Sequence, residues 1–185
     1  MVYVTVGAMV LCGLVLLVSS VSKLRGRADY AEFVASVPAF GIPARWTRVF
    51  AAVTVTAEVV IAALLLPGAV VMVLGTGRWL AGGLVLAVGL FGVLTAAVWR
   101  AVTRGSGAVC RCFGTARTPL ARRHVVRNAL LLLVATAGVL SIMDSTPAAI
   151  APAAVAAAAG ALGAVLVVRF DDLAELFAGP VPSAR

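Results

Sequence analysis

Two cysteines separated by one arginine, Cys110-Arg111-Cys112, are the residues of this sequence best suited to chemistry. Residues two apart have Cα atoms about 5.5–7 Å apart, which overlaps the range of about 4.4–6.8 Å that a disulfide requires. A bridge over so small a loop is strained, and strained disulfides are the redox-active ones. Arg111 lies beside both thiols, and a neighbouring cation favours the thiolate. The spacing therefore predicts a redox-active thiol pair.

Two other interpretations of these cysteines stay open. His124 is the only histidine, so Cys110, Cys112 and His124 give three metal ligands, whereas a structural zinc site usually has about four. Copper in its soft monovalent state needs only two thiolates. The cysteines are otherwise incidental small apolar residues, although a polar loop flanked by glycine fits that interpretation poorly.

Glu58 is the second candidate, because it is a carboxylic acid inside an apolar stretch. It follows Arg48 by ten residues, which is about 15 Å along a helix, and ionisable residues at such depth are usually functional. No cation lies within two turns on its own helix. We expect Glu58 to be buried among helices and neutral, with Thr54 on the same face. It either handles protons or forms an interhelical hydrogen bond.

A further polar group opens the apolar run that follows the cysteines. His124 and Asn128 are one turn apart, and Arg127 lies beside Asn128. These residues form either an ordinary basic start of a membrane helix or a polar group that faces the thiols and tunes them. Cys12, near the middle of the first apolar run, is expected to pack in the core.

The elements that must position these residues are membrane helices. Hydrophobic residues make up 63% of the 185 residues and charged residues 12%, whereas a soluble domain is about a quarter charged. Crossing a bilayer takes roughly 20 mostly apolar residues. Five stretches reach or approach that length: Val2–Ser22, Val49–Leu66, Trp79–Trp99, Val126–Met143 and Ala148–Val168. The sequence predicts an all-α fold, a polytopic transmembrane helix bundle.

We expect one integral membrane domain over residues 1–185. It comprises a four-helix core over about 1–143, an extra helix over about 148–168 and a short tail at 169–185. The first apolar run lacks a basic leader and a small-residue cleavage site, so it is expected to be retained. The partner expected for the whole domain is the lipid bilayer that surrounds it.

Positive charge is concentrated in two connections, which predicts the orientation. Twelve of the fifteen Lys and Arg residues flank or lie in the first and third connections: Lys23, Arg25, Arg27, Arg45, Arg48, Arg100, Arg104, Arg111, Arg117, Arg122, Arg123 and Arg127. Short basic loops stay in the cytoplasm. We therefore expect the N-terminus outside and the C-terminus inside a bacterial cytoplasmic membrane. The net charge of +8 is a topology signal and does not indicate nucleic-acid binding.

The connections and helix faces give several local expectations. Lys23 is expected to snorkel to the headgroups. Tyr30, Phe33, Val34 and Val37 form an apolar stripe of a short helix that Pro38 ends, lying along the interface or packed on the bundle. Pro67 and Gly68 are expected to break or kink the second apolar run, and residues 68–77 to form either a short outer connection or a helical extension. Small residues of the third helix (Gly82, Gly83, Gly89 and Gly92) are expected to allow close helix packing, and Gly- and Ala-rich helices also offer surfaces for an oligomer.

Taken together, these motifs resemble the MauE/DoxX-like family of small bacterial membrane proteins. The resemblance rests on a first helix ending in "SKL", an intramembrane Glu in the second, C-x-C-F-G after the third and "RN" opening the fourth. The family's motif positions fall on Lys23, Glu58, Cys110, Cys112, Phe113, Gly114, Arg127 and Asn128. The residue between the thiols is often Gly in the family and is Arg111 here.

The resemblance implies a compact helix bundle linked to redox maturation of exported proteins, as in assembly of the disulfide-rich methylamine dehydrogenase beside a thioredoxin-like partner. The expected function is a membrane-embedded thiol–disulfide accessory, with a quinone or a thioredoxin-type protein as candidate redox partner. Cys110, Cys112 and Glu58 are the expected catalytic residues, supported by Lys23, Arg111, Phe113, Gly114, His124, Arg127 and Asn128. A small metal or solute transporter and a non-catalytic assembly scaffold are the rival functions.

One tension follows from the predicted orientation. It places the thiols near the cytoplasmic face, whereas disulfide maturation takes place outside. Either the pair takes electrons from a cytoplasmic thioredoxin and passes them outward, or the loop dips into the bundle, or the orientation is the reverse.

Overall fold

The computed structural model describes residues 1–74, 81–104, 109–110, 118–119, 122–143 and 149–170. Six α-helices follow one another: α1 (Val2–Leu24), α2 (Arg27–Ser36), α3 (Thr47–Val73), α4 (Gly82–Thr103), α5 (Arg122–Leu140) and α6 (Ile150–Val168). Short 3-10 helices occur at Val37–Phe40, Ala44–Trp46 and Ser141–Met143. Two-residue strands β1 (Val109–Cys110) and β2 (Thr118–Pro119) pair antiparallel between α4 and α5.

Five of these helices, all except α2, are long and apolar enough to cross a membrane. This confirms the predicted all-α transmembrane bundle. The most enclosed of the five is α1. Of its 18-residue apolar stretch, 56% is buried inside the protein, against 17–33% for the corresponding stretches of the other four. It contacts α2, α3, α5 and α6, so the bundle is arranged around its first helix.

Helix α3 continues past Pro67 to Val73, so the apolar run does not end at the proline. Pro67 has no N–H to donate, but a membrane offers the backbone no water as an alternative partner. Continuing the helix through Pro67 keeps the other backbone hydrogen bonds and is therefore the most stable backbone conformation at this point. Of the two outcomes expected from the sequence, the helical extension is the one that the structure has.

Helix α2 packs on the bundle through the apolar stripe expected from the sequence. Phe33 and Val37 form a buried cluster with Ala51 and Val55 of α3, and Tyr30, Val34 and Ile42 pack against it. The helix ends at Ser36, and Pro38 lies in the first turn of the 3-10 helix that follows. Gly41 then turns the chain with a φ of +85°, a conformation that favours glycine.

Close helix approach occurs mainly between α1 and α6. A Cβ on Gly160 would lie 2.5 Å from the carbonyl oxygen of Gly7, and one on Gly138 of α5 would lie 2.8 Å from the Cβ of Ala8. Most glycines of α4 do not lie at close helix contacts, contrary to the expectation. A Cβ on Gly82, Gly89 or Gly92 would meet nothing within 4 Å. Only Gly83 of that group approaches another helix, at Leu64 and Leu65 of α3.

This packing predicts opposite effects for two glycine-to-alanine changes. Gly160→Ala should destabilise the protein by about 1–2 kcal/mol, because overpacking costs about 1–3 kcal/mol and the better helix propensity of alanine returns only about 1 kcal/mol. Gly89→Ala, in open space, should raise stability slightly. Melting temperatures of both variants in the same detergent check this, and an unchanged or raised value for Gly160→Ala contradicts the α1–α6 packing.

Candidate functional site

The centre of the site is a buried ion pair between Lys23 of α1 and Glu58 of α3. The Lys23 Nζ lies 2.5 Å from Glu58 Oε1, and the two side chains are 4% and 2% exposed. Ser19, one turn before Lys23, donates from Oγ to the same Oε1 at 3.1 Å and accepts from Lys23 Nζ at 2.9 Å. A carboxylate oxygen thus receives two donors at once.

A fourth side chain completes the surroundings of the ammonium group. The Lys23 Nζ lies 4.7 Å from the ring centroid of Phe33 in α2, within the distance at which an aromatic face attracts a cation. The cluster of Ser19, Lys23, Phe33 and Glu58 therefore joins three helices through one charge. This contact adds to the apolar cluster that packs α2 against α3.

The local sequence explains why Lys23 points inward. The buried residues Met9, Cys12, Leu16, Ser19 and Lys23 recur at intervals of three and four in α1, which places them on one helix face. The expectation that Lys23 snorkels to the headgroups is wrong for this reason. Its ammonium continues the core stripe and is stabilised there by Glu58.

Glu58 is buried, as expected. Thr54, one turn before it on α3, lines the same cavity as Glu58. The expectation of a neutral Glu58 assumed that no cation is near, because α3 has none within two turns of it. The structure supplies a cation from α1 instead. With an ammonium group in direct contact, the charged form of each group stabilises the other.

A cavity of about 110 Å³ adjoins the pair. It lies between α3 and α4, and its lining includes Ser19, Lys23, Thr54, Glu58 and Asn128 together with apolar side chains. The second carboxylate oxygen, Glu58 Oε2, is buried and has no hydrogen-bond partner within the part of the chain that the structure describes. The site thus combines an apolar chamber with an unused acceptor.

The polar group at the start of α5 is buried as well. His124 and Arg127 are 2% exposed and Asn128 is 4% exposed, and both His124 and Arg127 have interaction partners. This is more burial than an ordinary basic start of a membrane helix at the headgroups requires. Asn128 lines the cavity with Lys23 and Glu58, whereas His124 and Arg127 are not lining residues.

The thiol loop is described only in part. The backbone of Cys110 lies in β1, opposite Thr118 of β2. Arg111, Cys112, Phe113 and Gly114 lie outside the described residues, so the predicted proximity of the two thiols stays a prediction. Cys12 is fully buried in the main core, as expected. Among the described residues, no three His, Cys, Asp or Glu side chains are grouped as a metal site would require.

Of the residues expected from the sequence, Lys23, Glu58 and Asn128 thus meet at one site. Ser19 and Phe33 were missed. The signal for Ser19 was its spacing of four from Lys23, which places both on one face. Phe33 was assigned only to an apolar stripe, and nothing in the sequence shows that its ring faces a cation.

The buried pair predicts that single and double changes differ. Lys23→Met should cost about 3–5 kcal/mol, because it leaves the Glu58 carboxylate buried without its cation. Lys23→Met combined with Glu58→Gln should recover most of that loss, since both charges are then removed. Arg25→Met, at an exposed neighbouring position, is the matched control and should change stability by less than about 0.5 kcal/mol. Thermal unfolding in detergent measures all three, and additive losses in the double variant contradict the pairing.

Comparison with known proteins gives the family of the chain. Residues 1–141 match the profile of the family described as methylamine utilisation protein MauE. The match spans α1 to α5 and stops before α6. No curated protein and no solved structure matches the chain. Because the matched region covers well over half of its 185 residues, this multi-pass membrane protein belongs to the MauE family of methylamine utilisation proteins.

Proposed function

We propose that the protein is a thiol–disulfide accessory of methylamine utilisation in a bacterial cytoplasmic membrane. Cys110 and Cys112 are its redox couple, and Glu58 is the group that handles protons beside it. The position of the C-x-C motif carries this proposal. The motif lies in the family-matched region, on the connection between α4 and α5, and Val98 of α4 and Asn128 of α5 line the cavity beside Glu58.

The proposed reaction is thiol–disulfide exchange. A dithiol protein of the thioredoxin type attacks the Cys110–Cys112 disulfide through a mixed disulfide, and its own two sulfurs become bridged as the pair accepts two electrons and two protons. The reduced pair then transfers the two electrons and the two protons to a disulfide of a client protein by the same exchange steps. No other oxidant or reductant is needed, because each bridge formed replaces a bridge broken.

The orientation is also part of the proposal. The connection from α1 to α3 and the connection from α4 to α5 lie at the same end of the bundle, because the spanning helices alternate in direction. Both are basic, so both belong on the cytoplasmic side. The pair then exchanges at the cytoplasmic face, so both its dithiol donor and the client disulfide that it reduces must reach it on that side, the client before its export.

The orientation is tested by labelling single cysteines. Arg117→Cys in a background without native cysteines should be protected from an impermeant maleimide in intact cells and react after permeabilisation. Ala149→Cys should react from outside, because Ala149 is exposed and the connection from α5 to α6 lies at the opposite end of the bundle from position 117. Labelling of position 117 in intact cells reverses the proposed orientation.

The redox role is tested by thiol trapping in cells. Cys110 and Cys112 should be found partly bridged, and Cys110→Ser or Cys112→Ser should abolish the bridge and the maturation of the client. Cys12→Ser, in the core, is the matched control and should change neither. If both single variants support normal maturation, the thiol proposal is wrong and the non-catalytic assembly scaffold replaces it. Metal bound to the purified protein would instead support the other rival function, a small metal or solute transporter.

The part played by charge is tested at the arginine between the thiols. Arg111→Ala should slow alkylation of the reduced pair near neutral pH, because a cation beside a thiol favours the reactive thiolate. Arg122→Ala, at an exposed position at the start of α5, is the control for a general loss of positive charge. Equal alkylation rates against pH in Arg111→Ala and in the unmodified protein contradict electrostatic activation.

A further inference from the structure

Helices α3 and α4 touch toward one end of the bundle and leave a cleft toward the other. Gly83, in the first turn of α4, approaches Leu64 and Leu65 in the second half of α3. At the opposite end, the 3-10 helix Val37–Phe40 contacts both α3 and α4, and its first and last residues line the cavity between them. The two helices are therefore in direct contact at one end and separated at the other.

The outer rim of this cleft is apolar and faces the bilayer. Phe50 of α3 and Val93 of α4 are lining residues that are 48% and 62% exposed, and Ala97 lies in the same lining. Thr54 donates its hydroxyl to the carbonyl of Phe50, so its polar group needs no partner from outside. The rim thus suits a hydrocarbon chain that lies along it without entering the small cavity beside Glu58.

One face of α4 carries this apolar rim into a basic end. Four residues at intervals of four, three and four share a helix face: Val93, Ala97, Arg100 and Arg104. Both arginines are exposed. A Cβ on Gly41 would lie 3.0 Å from Arg104 Nη1, and Gly41 directly follows the 3-10 helix at the cleft. The Arg104 guanidinium therefore lies at the basic end of the cleft.

These two arginines have no counter-ion in the part of the chain that the structure describes. Neither forms an ion pair there, and α4 contains no Asp or Glu. Trp46 and Trp99 are exposed at the same end of α3 and α4, and tryptophan is enriched at the level of the lipid headgroups. Basic pockets between membrane helices at this level bind anionic headgroups.

The length of the cleft matches one leaflet of a bilayer. Leu90 is the first lining residue of α4 and precedes Arg100 by ten residues, which is about 15 Å along a helix. Half of a hydrocarbon core of about 30 Å is also about 15 Å. An acyl chain whose headgroup lies at the arginines therefore spans the whole rim.

We propose that the cleft between α3 and α4 binds one anionic phospholipid. Arg100 and Arg104 hold its phosphate, and one acyl chain lies along Phe50, Val93 and Ala97. Arginine suits this ligand, because its planar guanidinium donates two parallel hydrogen bonds to a phosphate. A zwitterionic phospholipid brings its own cation close to the arginines and binds less tightly. The proposal concerns binding alone, and it depends neither on the thiols nor on which side of the membrane this end faces.

The test measures which lipids the full chain retains. The protein is placed in nanodiscs that contain equal amounts of phosphatidylglycerol and phosphatidylcholine with identical acyl chains, and native mass spectrometry after release gives the ratio of the two bound lipids. Phosphatidylglycerol should be retained at least about fivefold more, because one basic side chain near an anionic membrane surface contributes about that factor. A ratio near one overturns the proposal.

Two double variants with the same loss of charge separate a site from a general attraction. Arg100→Gln/Arg104→Gln should bring the ratio close to one. Arg25→Gln/Arg27→Gln changes exposed residues at the same end of the bundle and should keep most of the preference. These two positions precede α2, or begin it, and its ten residues place them about 15 Å from the cleft. Equal losses in the two variants indicate diffuse attraction to a basic surface and reject the site.

The place of the acyl chain is tested at two neighbouring alanines. Ala97 is a lining residue, whereas Ala96 is exposed and does not line the cleft. Ala97→Phe should remove most of the preference for phosphatidylglycerol, and Ala96→Phe should leave it unchanged with the same added volume. Millimolar inorganic phosphate should not displace the lipid. A preference that survives Ala97→Phe rejects the cleft, and displacement by phosphate alone replaces the lipid site with a site for a soluble anion.

Discussion

The structure depends on the need to neutralise two charges that have been taken out of water. An ammonium group and a carboxylate each bear a large desolvation penalty inside a lipid-bound bundle, and each is tolerated only because it contacts the other. Lys23 and Glu58 lie on different helices, so their contact fixes the rotation of α1 against α3. Phe33 contacts the same ammonium group, so the orientation of α2 against α1 is constrained as well. Apolar packing alone, which is similar against lipid and against protein, would define these rotations less sharply.

The helical architecture was readily predictable, because long apolar runs have one stable form in a membrane. The burial of Glu58 followed from its depth in such a run. Its partner did not follow, since pairing across two helices depends on their relative rotation, which the sequence of α3 alone does not contain. The stripe of Met9, Cys12, Leu16 and Ser19 contained the missing information, because Lys23 continues it. Lys23 lies near a helix end, where snorkelling is possible, but its helical face decides its place.

The glycines show a similar limit. A small residue permits close approach, but whether another helix uses the space depends on the tertiary arrangement. Gly160 and Gly7 lie at such a contact, whereas Gly89 and Gly92 have open space beside them. The polar start of α5 was recognised as a group, yet its burial required knowledge that α5 packs against α4 and α1. Sequence patterns thus identified the residues of the site better than they identified its contacts.

The chain order of the ion pair has a consequence for how the bundle is made. Lys23 ends the first helix and Glu58 enters the membrane only with the third, so the nascent protein carries the cation before its counter-ion exists. Its place in the last turn of α1 lets the ammonium remain hydrated at the surface during that interval. We expect insertion of α3 to draw the ammonium group inward, so that the ion pair joins the two helices only once both are in the membrane. The same lysine would then be a surface residue early in biosynthesis and a core residue at its end.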